Sequence, residues 1–128
     1  MKFFTYLFAF SMLFLSCEKN EGKGGTSTIE GHLKIINLNN QGEFISSYAG
    51  ADEDIYIIYG LDGLTYDDKM STSLDGSYRF DYLNPGSYQI FAYSKCDTCA
   101  SGKEAIIKTV VISEKKEVVN AGEIVTYD

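Results

Sequence analysis

The stretch of sequence that decides the fold of this 128-residue chain is Asp75-Gly76-Ser77-Tyr78-Arg79-Phe80-Asp81-Tyr82-Leu83-Asn84-Pro85-Gly86-Ser87-Tyr88-Gln89-Ile90-Phe91-Ala92-Tyr93. Polar and apolar residues alternate in its first half, with Tyr78, Phe80 and Tyr82 on one side and Arg79 and Asp81 on the other. This period of two is typical of a β-strand with one buried face, so we expect an aromatic core side. Asp-Gly before the strand and Asn-Pro-Gly after it are turn signals.

The second turn of this stretch predicts a tyrosine corner, a structural site made of Leu83, Pro85, Gly86 and Tyr88. In a tyrosine corner, the hydroxyl of a tyrosine near the start of a strand bonds a backbone group upstream and fixes the crossing between two sheets. Pro85 suits this turn because its ring presets φ, and Gly86 suits it because glycine adopts a positive φ without a side-chain clash.

Strand patterns continue on both sides of this stretch. In the first of them, Ile29, Leu33 and Ile35 are expected to point inward and His32 to point to solvent. Glycine-rich and asparagine-rich turn signals separate the patterns, and no convincing helical stripe occurs after Cys17. These features predict an all-β fold, an antiparallel β-sandwich of about seven strands. The strands are predicted over residues 28–35, 54–60, 65–71, 77–82, 88–94, 104–113 and 117–127.

The motif Gly-x-Tyr-x-Phe-x-x-Leu-x-Pro-Gly-x-Tyr-x-Ile-x-Ala runs from Gly76 to Ala92, between an opening Ile-Glu-Gly at 29–31 and a closing Gly-Glu-Ile at 122–124. With this motif the chain resembles the carboxypeptidase regulatory-like, transthyretin-like and collagen-binding B-type (prealbumin-like) domains over nearly all of residues 28–127. The resemblance implies an immunoglobulin-like or prealbumin-like antiparallel β-sandwich. Such domains serve as stalks, accessory modules or binding platforms on exported proteins, so the resemblance implies no particular activity.

The first sixteen residues are arranged like a secretory signal, with the charged Lys2 followed by an apolar run over 3–14. Cys17 comes directly after this segment. The run is too short to span a bilayer comfortably. Its end resembles the lipobox of bacterial lipoproteins, although Phe14 stands where that motif usually has Leu. The resemblance implies that residues 1–16 are removed as a lipoprotein signal peptide and that Cys17 is lipidated with fatty acyl chains such as palmitate. A plain signal peptide with a chance cysteine and an uncleaved anchor are the alternatives.

Two further segments complete the predicted organisation. Residues 17–27 are polar and rich in glycine, which predicts a flexible tether. Residues 28–128 have the size of a single domain and are expected to form the sandwich. The expected location is the bacterial cell envelope, anchored by lipid in the outer membrane, on its periplasmic or surface face.

The charge of the chain limits its partners. The formal net charge is -7, and it becomes -8 when the single charge of the signal segment, that of Lys2, is removed. An acidic protein is a poor ligand for nucleic acid and for anionic lipid headgroups, so no nucleic acid partner is expected. Membrane contact is expected through the N-terminal lipid rather than through charge.

The pair Cys96 and Cys99 encloses Asp-Thr and precedes Ala-Ser-Gly, which places it in a hairpin loop after a predicted strand. In an exported protein this spacing favours a small disulfide that holds the loop together. Redox-active pairs of the same spacing usually begin a helix whose N-terminus stabilises a thiolate, and no helix is predicted here. A free, metal-binding or redox pair is the alternative.

No catalytic or metal site is predicted. The acidic residues at 52–54 and 67–68, with Asp62 and Asp75, lack the spacing of a calcium loop and are expected to be solvated. Two cysteines are too few for a closed zinc site, and lone His32 provides no acid-base pair. We therefore expect a protein that is not an enzyme and that binds no metal or cofactor.

Two functions from different classes fit these features. The first is a non-catalytic envelope module, either a binding protein for a glycan or an envelope protein, or a structural accessory. Its stacking platform would be drawn from exposed tyrosines such as Tyr48, Tyr56, Tyr59 and Tyr66. The alternative is an envelope thiol redox protein that uses the two hairpin cysteines.

Overall fold

A computed structural model describes residues 21–128 of the protein. The predicted signal peptide and Cys17, the predicted lipidation site, lie outside the described residues. The described part of the chain contains eight strands, namely β1 (Lys23–Leu38), β2 (Phe44–Ala49), β3 (Asp54–Tyr59), β4 (Asp68–Ser71), β5 (Ser77–Leu83), β6 (Gly86–Lys95), β7 (Lys103–Ile112) and β8 (Val118–Tyr127).

The strands form two four-stranded sheets. In the first sheet β1 is central, with β5 and then β2 antiparallel along one edge and β8 parallel along the other. The second sheet is antiparallel throughout, in the order β4-β3-β6-β7. The predicted all-β sandwich is thus confirmed, and the β1–β8 pair is its one parallel pairing among the described strands.

The core lies between the inner faces of the two sheets. Alternate residues of β1, β3, β5 and β6 point into it, as the period of two predicts. Burial of each large apolar side chain stabilises the fold by about 1.5–3 kcal/mol. The buried cluster consists of Ile29, Leu33, Ile55, Ile57, Tyr78, Phe80, Leu83, Tyr88, Ile90, Ala92, Val110, Ile112 and Ile124.

Strand β2 is absent from the predicted set. All six of its residues are exposed, and Phe44 retains 64% of its accessible surface. β2 pairs only with the end of β1 and packs no side chain into the core. Periodicity detects a strand by its buried face, and a strand without a buried face gives no such signal.

The aromatic face predicted for β5 is interrupted at Tyr82. Tyr78 and Phe80 are buried as expected, but Tyr82 is 73% exposed and Leu83 is buried instead. The backbone of Tyr82 has φ 60°, and the β1–β5 register shifts at this point. A bulge of this kind moves the following residue to the other face of the sheet, so the alternation of the sequence fails here.

The prediction of a flexible tether over residues 17–27 is wrong for residues 23–27, because β1 begins at Lys23. Ser27 is fully buried, and its hydroxyl donates to the Glu114 carbonyl at 2.7 Å. The Nζ atom of Lys23 lies 3.0 Å from Asp68, and this hydrogen bond lowers the pKa of that carboxyl. Polar composition suggested a linker, but the polar side chains of Lys23 and Ser27 bond Asp68 and the β7–β8 loop.

The hydrogen bond predicted for the tyrosine corner is present. Tyr88 is fully buried, and its hydroxyl donates to the Asn84 carbonyl at 2.5 Å, across the turn that holds Pro85 and Gly86. The same oxygen accepts from the backbone N–H of Gly22 at 2.9 Å. The Asn84 N–H in turn donates to the Gly22 carbonyl at 2.8 Å. The N-terminal segment is therefore fastened to the corner.

Tyr78 differs from Tyr88, although both rings lie in the core. The hydroxyl of Tyr78 is buried and has no hydrogen-bond partner among the described residues. It lies against Gly31, where any Cβ would overlap the hydroxyl oxygen. Gly31 is needed for this close approach. Burial raises the pKa of Tyr78 to about 12.

The two buried tyrosines make a matched pair of substitutions. Tyr88→Phe should lower the free energy of unfolding by about 1–3 kcal/mol, because it leaves the buried Gly22 N–H without an acceptor. Tyr78→Phe should be neutral or stabilising, because it removes a buried polar group that has no partner. Urea denaturation of both variants measures the difference, and equal losses would contradict the assigned hydrogen bonds.

Alkaline pH should destabilise the protein through Tyr78. A free tyrosine ionises near pH 10, whereas burial raises the pKa of Tyr78 to about 12. The stability that neutral Tyr78 contributes is therefore complete below pH 10 and is lost as the pH rises toward 12, by about 3 kcal/mol. Denaturation at pH 9 to 12 should show a smaller loss for Tyr78→Phe. An identical pH profile for both proteins would show that another group is responsible.

Candidate functional site

Four aromatic side chains meet on the outer surface of the second sheet, and we call them the aromatic face: Tyr56, Tyr66, Phe91 and Tyr93. Alternation along β3 and β6 places Tyr56, Phe91 and Tyr93 there. The inward positions of these strands are occupied by Ile55, Ile57, Ile90 and Ala92. Tyr56 is paired directly with Phe91 across the two strands. Tyr66 reaches the face from the loop between β3 and β4.

The rings of the aromatic face are in mutual contact. Tyr56 stacks on Phe91 with ring centroids 5.0 Å apart and planes 14° apart. Tyr66 lies 4.8 Å from Tyr56 in a tilted arrangement, and Tyr93 lies 5.4 Å from Tyr56 edge to face. These separations are those of favourable aromatic pairs, each worth about 0.5–1.5 kcal/mol beyond burial. The rings are thus held in place by one another and by the sheet below.

Exposure divides these four residues into a base and a contact surface. Phe91 is 7% exposed and forms the base. Tyr66 and Tyr93 are 47% and 51% exposed, which is unusual for neighbouring large aromatic residues and leaves their rings open to a ligand. Ile107, which is paired with Phe91 on β7, is 52% exposed and extends the apolar surface.

A groove of about 410 Å³ continues from the aromatic face to the end of the sandwich where β6 and β8 end. This volume is within the range of small-molecule sites. Both sheets contribute to its walls, and charged groups of both signs lie beside the aromatic rings. The lining residues are Ile35, Glu53, Asp54, Tyr56, Tyr93, Ser94, Lys95, Gly102, Lys103, Thr126, Tyr127 and Asp128.

The polar groups of the groove are suited to hydrogen bonding with neutral hydroxyls. The hydroxyl of Tyr56 is a neutral donor at pH 7, as in any tyrosine, and its pKa is raised further by burial and then by the nearby carboxylate of Asp54. Carboxylates at Glu53 and Asp54 are acceptors, whereas the ammonium groups of Lys95 and Lys103 are donors. The arrangement offers donors, acceptors and apolar ring surface within one groove.

The structure separates the four tyrosines of the predicted platform. Tyr56 and Tyr66 are brought together, whereas Tyr48 lies on β2 of the other sheet. Tyr59 packs edge to face on Tyr88, 6.0 Å away, and so belongs to the core edge. Tyr93 was missed by the sequence-based selection, although the alternation of residues 88–94 places it on the outer face.

Cys96 and Cys99 form a disulfide in the loop between β6 and β7, with Cα atoms 5.3 Å apart. The loop is a tight turn in which the Cys96 N–H donates to the Gly102 carbonyl at 2.9 Å. A strand follows, not a helix, so the dipole that lowers thiol pKa values in redox motifs is not available from the next element. The redox interpretation gains no support from this loop.

Among the described residues, one cluster of potential metal donors is close enough to share an ion, formed by Cys96, Cys99 and Glu104. Its two sulfur atoms are bonded to each other, which leaves one carboxylate. His32 is exposed on β1, as its place in the alternation predicts.

Three acidic residues of the predicted turns, Asp67, Asp68 and Asp75, accept hydrogen bonds from backbone N–H groups. Asp67 accepts from the Tyr59 N–H at 2.7 Å, and Asp75 accepts from the Ser77 N–H at 3.0 Å. This use explains their position in turns without an ion.

Comparisons with known proteins show no family match. No family model matches the chain, and no curated protein does. The resemblance carried by residues 76–92 therefore remains a prediction. Within residues 21–128 no helix has the length and apolar character needed to cross a membrane. One similar solved structure is that of a candidate carbohydrate-binding protein of Pseudomonas aeruginosa, with 14% identity over 84% of this chain and 91% of the other, and a TM-score of 0.47.

Proposed function

We propose that this protein is a non-catalytic, lipid-anchored module of the bacterial cell envelope that binds a glycan on the aromatic face and in the adjoining groove. The observation that carries the proposal is a cluster of partly exposed tyrosine rings beside a groove lined by polar groups, in which Tyr56 and Tyr93 stand on the sheet and Tyr66 packs on Tyr56 from the β3–β4 loop.

Sugar rings match this combination of groups. A pyranose presents an apolar face of C–H groups, which packs on an aromatic ring, and a rim of hydroxyls, which need both donors and acceptors. Tyrosine supplies ring area and a hydroxyl at low conformational cost. Asp54 and Lys95 provide an acceptor and a donor in the adjoining groove. Tyr56 and Tyr93 stand on strands, which fix a binding site better than loops do.

The proposed anchor is Cys17, on the basis of the lipobox-like end of the N-terminal segment. Each methylene of an acyl chain contributes about 0.8 kcal/mol on insertion, so two or more chains make attachment stable. The location that we propose with this anchor is the outer membrane, on its periplasmic or surface face.

Removing one exposed ring should weaken glycan binding. Tyr66→Ala and Tyr93→Ala should each raise the dissociation constant by about tenfold or more, because each removes an aromatic anchor worth about 1.4 kcal/mol. A glycan array identifies the ligand of the wild-type protein, and calorimetric titration then measures the affinities.

Tyr82→Ala is the matched control for this experiment. Tyr82 is 73% exposed but lies on β5 of the other sheet, so its removal should leave the affinity unchanged. Thermal melting checks that all three variants remain folded. An array on which the wild type binds no bacterial or plant glycan would refute glycan binding, and an equal loss for Tyr82→Ala would refute the assignment to the aromatic face.

Lipid anchoring has a separate test. In cells, the wild type should carry added lipid mass and sediment with membranes, whereas Cys17→Ser should lack that mass and move to the soluble fraction. The double variant Cys96→Ser/Cys99→Ser keeps Cys17 and should remain with the membranes. Intact mass spectrometry of each fraction gives the result. Membrane sedimentation of Cys17→Ser would contradict the proposal.

A further inference from the structure

The N-terminal segment and three inter-strand connections come together at one end of the sandwich, which we call the anchor end. Gly22 bonds the turn between β5 and β6. The loop between β7 and β8 is adjacent, since the Glu117 carbonyl accepts from the Thr28 N–H at 2.8 Å. The loop between β3 and β4 is adjacent too, since the Gly60 N–H donates to the Ser87 carbonyl at 2.8 Å.

The β3–β4 loop begins at the anchor end and contains two exposed leucines. Leu64 is 99% exposed and Leu61 is 56% exposed. Full exposure of a leucine forfeits about 1.5–3 kcal/mol that burial would supply, so the side chain of Leu64 contributes almost nothing to the core. The loop starts next to the N-terminal segment, because Gly22 packs against the ring of Tyr59, one residue before the loop begins.

The distance from this end to the anchor is short. Four peptide steps separate Cys17 from Glu21, the first described residue, so this stretch spans at most about 14 Å even if fully extended. The fixed position of Gly22 shortens the predicted tether to less than half of its expected eleven residues. The end of the sandwich at which the β3–β4 loop begins is therefore the end held near the bilayer if Cys17 is lipidated.

We propose that Leu61 and Leu64 form a second membrane contact, in which the β3–β4 loop inserts into the lipid headgroup region beside the acylated N-terminus. This inference rests on the proposed lipid anchor. The partner is the bilayer itself, because the anchor end is the surface that the short N-terminal segment brings against lipid.

The charges of the anchor end agree with an apolar contact rather than an electrostatic one. Lys115 and Lys116 are exposed in the β7–β8 loop, next to exposed Glu114. On the β3–β4 loop Asp62 is also exposed. With both signs present, attraction to anionic lipid is weak. Insertion should then follow the apolar area of the leucines and vary little with salt.

Tryptophan scanning tests this contact directly, because the chain contains no tryptophan of its own. The full-length lipoprotein is produced in cells with Leu64→Trp or Leu74→Trp and reconstituted into phosphatidylethanolamine and phosphatidylglycerol vesicles, with or without brominated acyl chains. Leu74 is the matched control because it is 91% exposed but lies in the turn after β4. The β3–β4 loop lies before β4, at the opposite end of that strand.

The emission of Leu64→Trp should shift to the blue and fall by about half in brominated vesicles, because a side chain that enters the lipid boundary by about 5–10 Å comes within reach of the bromines. The emission of Leu74→Trp should be the same in both kinds of vesicle. Vesicle flotation and intact mass confirm that both proteins are anchored.

The outcomes separate the inference from the proposal on which it rests. If both variants float with the vesicles and neither is quenched, the anchor is correct and the second contact is wrong. If both are quenched equally, the contact is not specific to the β3–β4 loop and the inference also fails. If neither variant floats or carries lipid mass, the anchor itself is wrong and the second contact falls with it.

Discussion

The hydroxyl of Tyr88 joins the N-terminal segment to the turn between β5 and β6, which is remote from it in sequence. Tyr88 belongs to β6 of the second sheet, whereas Gly22 and Asn84 border β1 and β5 of the first. Buried backbone donors and acceptors require hydrogen-bond partners. Here the Tyr88 hydroxyl is the partner of both the Gly22 N–H and the Asn84 carbonyl. The crossing between the sheets, the start of β1 and the position of the N-terminal segment all depend on this hydrogen-bond arrangement.

Much of the fold was predictable because its signals are local. Alternation identified the core side of β1 and the first part of β5, and the spacing of Tyr88 after Gly86 predicted its hydrogen bond across the turn. The parts of the fold that were predicted wrongly depend on partners remote in sequence. β2 has no buried face to reveal it, and the polar residues 23–27 become a strand only because β5 and the β7–β8 loop provide their hydrogen bonds.

The candidate site was predictable only in part for a related reason. Tyrosine content marked Tyr56 and Tyr66, but composition cannot tell a tyrosine on an outer face from one at a core edge, such as Tyr59. Cross-strand register makes that distinction, since it sets Tyr56 against Phe91 and leaves Tyr93 open beside them. Register is fixed by the whole sheet, so the platform becomes visible only when β3 and β6 are paired.

The sixteen-residue length and central position of β1 also determine how the domain carries load. A pull on the residues before Glu21 enters through β1 and is directed along the axis of that strand, which is flanked by antiparallel β5 and parallel β8. The ladder bonds on both edges then resist together in shear rather than opening one at a time. A force applied at the groove would reach the N-terminal segment through the part of the sandwich best arranged to withstand it.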